Sequence, residues 1–236
     1  MESVEKLLVV WKQPRTRLRY WIGTLSHEGG LYRFHYQLEG TRTYPQAKEV
    51  GFALLPFKDD SLTYESCELF NVFAARIPDR EQQSAPLEYF SRTGGRLATD
   101  TLEFLTPVQA IGSREFTVTF PVAGWRYHQG EQALEAGLLA VGSELSLCLQ
   151  PNNEWDPCAI QVRAQDYTLG YVPAVYAHYL DLSVSEGTCQ ARVLSIGSEP
   201  DPQLRLMVSC TFTAASPDGA ELLPHDLQSP SRCLVA

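Results

Sequence analysis

Three short runs gather side chains able to do chemistry: Trp125-Arg126-Tyr127-His128, Pro151-Asn152-Asn153-Glu154-Trp155-Asp156-Pro157, and Leu169-Gly170-Tyr171-Val172-Pro173. They offer ring faces at Tyr127, Trp155 and Tyr171, a guanidinium at Arg126 and a carboxylate at Asp156. Bases stack on aromatic planes for about 1–3 kcal/mol each. A guanidinium neutralises a phosphate, and a carboxylate accepts a hydrogen bond from a sugar hydroxyl. A carboxylate otherwise repels nucleic acid, so its presence favours a free hydroxyl over a phosphate. The set suits the end of a single strand. A plainer reading stands beside it: Asn152-Asn153 and Asp156-Pro157 are turn formers, and Asp156 closes an Asx-turn as readily as it binds a ligand. Trp155 and Tyr171 likewise fit a core or its rim.

Each run lies just after a predicted strand or at its end, where a rigid β scaffold carries its working loops. Phe116, Val118, Phe120 and Val122 alternate with polar residues, as do Leu145, Leu147 and Leu149, and Leu204 through Phe212 at every second position. Strict alternation of this kind marks half-buried strands. A short helix is expected over Ala174–Leu182, with Pro173 at its start and Val175, Tyr179 and Leu182 on one face. Several short strands with little helix point to a small barrel or sandwich.

The first half reads as a small antiparallel β-rich domain. Leu7–Trp11 is a strand, and Tyr32, Phe34 and Tyr36 alternate in another after the Gly29-Gly30 turn. Arg15, Arg17 and Arg19 alternate with Thr16, Leu18 and Tyr20, which at strand period sets three guanidinium groups on one face. That face is either solvated or turned toward an acidic partner or a phosphate backbone. Leu69–Ala75 has helical spacing and stops at Pro78. The mixed stretch with Pro86 and Gly94-Gly95 reads as a mobile connector. The expected organisation is therefore a β-rich domain over 1–81, a connector over 82–113, a β-barrel domain over 114–213 and a disordered tail over 214–236, the whole mainly β (α+β) with a few short helices.

Composition narrows the function. The chain has 236 residues and a formal charge of −9. Residues 1–110 hold 13 Lys/Arg against 14 Asp/Glu, and the remainder 6 against 14. Proteins that coat duplex DNA use clustered Lys and Arg, so any nucleic acid bound by the second half is held by a small local site. The cysteines at 67, 148, 158, 189, 210 and 233 never form a C-x-x-C pair and read as buried, reduced thiols. The five histidines are isolated, and no cofactor or metal is expected. No phosphate loop, nucleophile elbow or zinc-protease motif is present, and no nucleophile stands beside a base, so the chain is expected not to be an enzyme. No apolar run of about 18 residues occurs and the first ten residues suit neither a signal nor a transit peptide, so a cytoplasmic protein without a membrane span is expected.

The order and spacing of R-Y-H (126–128), P-N-N-E-W-D-P-C-A-I (151–160) and L-G-Y-V-P (169–173) resemble the HIRAN domain over about residues 115–212. The resemblance implies a small β-barrel and capture of the 3′-hydroxyl end of single-stranded DNA. Carried over by position, Arg126 and Tyr127 contact the terminal nucleotides, Trp155 stacks a base, Asp156 receives the 3′-hydroxyl and Tyr171 lines the pocket. His128, which replaces a second aromatic, and Asn153 complete the set. The first half is similar, in V-V-W-K (9–12), I-G-T-L (22–25), Y-R-F-H-Y (32–36), F-A-L-L-P-F (52–57) and L-F-N-V-F-A-A-R-I-P-D-R (69–80), to the N-terminal subdomain of HipA-type kinases, without the kinase core. That likeness implies an interaction module for a HipA-like kinase or another protein. The implied protein is a DNA-end-binding accessory factor in DNA repair, genome defence or a toxin–antitoxin circuit. The alternative is a protein-binding regulator whose barrel is a scaffold.

Overall fold

The computed structural model describes residues 4–78, 85–154, 156–197 and 205–213. The chain divides into two compact units, the first running to Pro107 and the second beginning at Val108. Trp155, residues 79–84 and the stretch 214–236 read above as a tail lie outside the described residues. Among the described residues no helix is long and apolar enough to cross a membrane. Both units are mainly β, each built on one antiparallel sheet.

In the first unit β1 (Lys6–Lys12), β2 (Arg19–Glu28), β3 (Leu31–Tyr36), β4 (Thr63–Ser66) and β5 (Leu102–Leu105) form a sheet in the order β4-β3-β2-β1-β5. Three helices, α1 (Tyr44–Glu49), α2 (Asn71–Ala74) and α3 (Pro86–Thr93), join it. Leu7 to Trp11 are all buried, because β1 is a central strand covered on both faces. The core is rich in rings: Phe73 meets Phe34 and Phe104 edge-on, and Phe90 stacks on Phe104 at 4.2 Å.

Two expectations fail in this unit. Arg15 and Arg17 do not continue a strand with Arg19. The chain turns between β1 and β2: the Gln13 carbonyl accepts the Arg17 N–H, the Leu18 carbonyl accepts the Gln13 N–H, and Arg17 takes a φ of 64°. Of the three arginines only Arg19 has strand geometry, and it pairs with the buried Glu103 rather than lining an open face. The second failure is the connector. Within 82–113, α3 buries Leu87 and Phe90 in the first core, and β5 pairs with residues 8–11 of β1. The Gly94-Gly95 pair is a helix stop. Gly94 ends α3 at φ 70° with its N–H on the Phe90 carbonyl, and a Cβ on Gly95 would meet Phe104 at 2.6 Å.

The second unit has β6 (Gln109–Ala110), β7 (Glu115–Pro121), β8 (Glu144–Leu149), β9 (Ile160–Ala164), β10 (Tyr167–Tyr171), β11 (Gln190–Ile196) and β12 (Leu206–Thr213), ordered β10-β9-β8-β11-β12-β7-β6. Helix α4 (Gly130–Glu135) packs on β10, and α5 (Ala174–Ser185) packs on β8 and β12. The alternation of β7 buries Phe116, Val118 and Phe120 as expected, whereas in β8 only Leu145 is fully buried. In α5 Val175 is buried as expected and Tyr179 is only half-buried; Tyr176, Ala177 and Leu180 are buried as well, and the side chain of Leu182 lies outside the described residues. Tyr176 is turned inward onto Phe120, their ring centroids 6.0 Å apart.

Among the described residues the sheet comes round on itself at one bridge. Ala123, two residues beyond β7, bridges Tyr171 at the end of β10 through two backbone hydrogen bonds of 2.8 and 2.9 Å. Closure is thus a single bridge and not the continuous barrel expected. Among the described cysteines only Cys210 is buried; Cys67 is exposed and the others are half-buried. The Sγ atoms of Cys189 and Cys210 lie 3.0 Å apart.

Candidate functional site

The bridge brings together two of the three runs, the turn after β7 and the end of β10; the contacts of Asp156 lie within its own loop. Tyr171 pairs with Gln161 of β9 on one side and with Ala123 on the other, and the Val172 N–H reaches the Ile160 carbonyl at 2.9 Å. The segments following β7, preceding β9 and ending β10 are therefore neighbours at one edge of the sheet. Gly170 makes this approach feasible. Its φ is 145°, and a Cβ there would lie 2.4 Å from the Ala123 carbonyl oxygen and 2.7 Å from the Val122 side chain. Only a residue without a side chain lets the backbones come this close.

After Ala123 the chain turns at Gly124 (φ 79°) into one turn of 3-10 helix, Trp125–Tyr127. Trp125 points inward and is 3% exposed, while Arg126 and Tyr127 point outward, Tyr127 at 77%. A tyrosine so exposed is not core. The Arg126 guanidinium sits 5.7 Å from the Tyr127 ring centroid, a cation–π contact. His128, half-buried, meets the Tyr171 ring edge-on at 5.4 Å. Of these two contacts the His128–Tyr171 pair spans the bridge, while Arg126 and Tyr127 are neighbours in the turn.

Asp156 has a local partner. Its Oδ1 accepts the Cys158 N–H at 2.9 Å, its own N–H donates to Asn153 Oδ1 at 3.1 Å, and its carbonyl accepts the Ala159 N–H. This is the Asx-turn that the residue types allowed. Asn153 serves the same turn, its N–H donating to the Gln150 carbonyl at 2.9 Å. The hairpin loop is thus shaped by its own polar side chains, and it delivers Asp156 just before β9, the strand paired with β10.

The sequence reading missed the residues that hold the Trp125 turn. The Trp125 indole N–H donates to Glu131 Oε1 at 3.0 Å, and Arg205 grips both oxygens of that carboxylate at 2.9 and 3.1 Å. Arg205 also donates to the Gly197 carbonyl. The Arg205 and Trp125 donors hold the Glu131 carboxyl below its ordinary range. Gly130 lies flat under the indole, where a Cβ would fall 2.4 Å from the ring. Gln129 ties the same loop to β10 by donating its N–H to the Thr168 carbonyl and accepting the Thr168 N–H at its side chain. The Gly-Glu pair after R-Y-H was the available signal; Arg205 is 74 positions away from Glu131 and gave none.

Among the described residues no group of three or more His, Cys, Asp or Glu could hold a metal ion. The second unit is thus a small antiparallel β domain with an exposed Tyr127 and a His128–Tyr171 ring contact beside the bridge. Residues 115–215, less than half of the chain, match the model of the HIRAN domain family. Two solved structures are similar in the same region. The crystal structure of the HIRAN domain of human HLTF shares 20% identity over 41% of this chain and 74% of that one, with a TM-score of 0.33. A structural-genomics protein from Lactobacillus plantarum shares 23% identity over 42% of this chain and 96% of that one, again with a TM-score of 0.33. No protein with a curated description matches the chain.

Proposed function

We propose that the chain is a non-catalytic, nucleic-acid-binding accessory protein whose second unit takes the 3′-hydroxyl end of single-stranded DNA. The observation that carries this reading is the Ala123–Tyr171 bridge, which joins the Arg126-Tyr127-His128 turn to the strand end bearing Tyr171. An exposed tyrosine with an arginine beside it offers a ring face to a base and a cation to its phosphate. The HIRAN match over 115–215 supports the same class of ligand. Trp155 enters the reading on its sequence position as a second stacking ring, and Asp156 as the acceptor of the terminal hydroxyl. Its Oδ1 already accepts one N–H; the second carboxylate oxygen would be the one offered to the sugar.

The experiment is fluorescence anisotropy with matched oligonucleotides ending in a 3′-hydroxyl or a 3′-phosphate. Tighter binding of the hydroxyl end is expected. Equal affinity for the two ends at low salt removes the end-reading proposal.

The first unit is read as the module that couples this event to a partner. A HipA-like kinase as that partner, and service in repair, defence or a toxin–antitoxin circuit, stand on the residue motifs of the first half alone.

A further inference from the structure

Glu103 of β5 is 3% exposed and accepts hydrogen bonds from two arginines, Arg19 of β2 and Arg96 of the loop before β5. Burial pushes its carboxyl up, but the two guanidinium groups outweigh that and hold it below the usual range. It is an ionised carboxylate with two cations already on it. Lys12, at the end of β1, is the cross-strand neighbour of Arg19. Arg17 stands in the turn between them, exposed and held at φ 64°. Partial burial lowers the Lys12 amine's pKa, and Arg19, Arg17 and Arg96 lower it further; Glu103 is the one acid that opposes them. Lys12 and Arg19 face each other across paired strands, and Arg19 and Arg96 share one carboxylate, so the fold holds these like charges together against their repulsion.

We propose that Lys12, Arg17 and Arg96, gathered around the Arg19–Glu103 pair, form a phosphate-binding surface on the first unit that engages the backbone of single-stranded nucleic acid. An anion there relieves the mutual repulsion, and guanidinium forks match phosphate oxygens in pairs. The chain carries a charge of −9, so a polyanion is held by such a local concentration of cations and not by the general field. The site rests on this geometry alone. The choice of nucleic acid over an acidic polypeptide rests on the reading of the second unit as a strand binder.

The test uses the full chain and a single-stranded oligonucleotide whose 3′ end is blocked by phosphate, so that end recognition is silent. Arg19 is left in place because Glu103 needs it; Lys12→Gln with Arg17→Gln removes two cations from the surface. Each phosphate contact to a single strand contributes about −0.7 to the slope of log K against log salt. The double variant is therefore expected to make that slope shallower by about 1.4, while Arg192→Gln on the second unit leaves it unchanged. Acetylation of Lys12, read by mass spectrometry, is expected to be suppressed by the oligonucleotide and not by polyglutamate, a readout that does not depend on comparing variants. No binding of the blocked strand by the native chain, or an unchanged slope in the double variant, overturns the proposal. Equal protection of Lys12 by polyglutamate also overturns it and assigns the surface to an acidic protein. Failure of end recognition has a separate signature, equal affinity for the two kinds of 3′ end, and leaves this slope untouched.

Discussion

The indole of Trp125 and the carboxylate of Glu131 are joined at 3.0 Å, and Arg205 closes on the same carboxylate from β12's approach. The exposed pair Arg126 and Tyr127 projects from the turn that this contact anchors. Gly130→Ala places a methyl group against the indole and is expected to cost about 1–3 kcal/mol, as overpacking does. Glu131→Gln keeps an acceptor for the indole and loses the charge facing Arg205. With Glu131 57% exposed, that loss is expected to stay within about 1 kcal/mol. Thermal denaturation of the two variants checks the order.

Arg126 and Tyr127 are on the surface and support little else. Replacing either by Ala is expected to change stability by no more than about 0.5 kcal/mol. Tyr127→Ala is expected to weaken binding of a single strand by about 1–3 kcal/mol. Anisotropy beside a melting curve separates the two effects; a large drop in melting temperature would make Tyr127 a structural residue.

At Gly170 the requirement is steric. Gly170→Ala forces a Cβ onto the Ala123 carbonyl at a backbone angle that side chains avoid. The bridge is expected to open, and amide exchange at Ala123 and Tyr171 to quicken together. Retained protection at both amides would show that the strands tolerate the methyl group.

Asp156 has two duties that substitution can part. Asp156→Asn preserves an oxygen for the Cys158 N–H, so the turn survives while the charge is lost. Under the proposed function this variant keeps its fold and loses its preference for a 3′-hydroxyl over a 3′-phosphate. Asp156→Ala loses the turn as well, at about 1 kcal/mol for one hydrogen bond. The oligonucleotide pair and a denaturation curve measure both.

Glu103 sets an acid limit for the first unit. Its carboxyl in the folded state is held below the ordinary value, so the protein binds fewer protons there than the unfolded chain does. The resulting stability is fully present above the ordinary carboxylate pKa of about 4.3. It is lost as pH falls through the lower, folded value. The melting temperature is expected to drop below about pH 4, and Glu103→Gln to flatten that drop. An identical acid profile in the variant would assign the effect to other carboxylates.

Period and composition along the chain were enough for the mainly β class, the hairpin of β2 and β3, the alternation of β7 and of β12 from Val208 onward, and the three runs bearing Arg126, Asp156 and Tyr171. Each is a local property: a strand's side chains alternate because of its own backbone, and a turn former acts on residues beside it. Contacts between distant residues were beyond that reach. Nothing near Arg19 announces Glu103, 84 positions on, yet that pairing takes Arg19 off an open face. Gly94-Gly95 has the composition of a linker; Gly94 ends α3 through its backbone cap, and Gly95 stands where the rings of Phe90 and Phe104 leave no room for a side chain. The anchoring of Trp125 needs Arg205, and the meeting of its turn with the end of β10 needs Ala123 against Tyr171. Which of several equally suitable side chains become partners depends on how the strands are ordered, and that order is a property of the folded sheet.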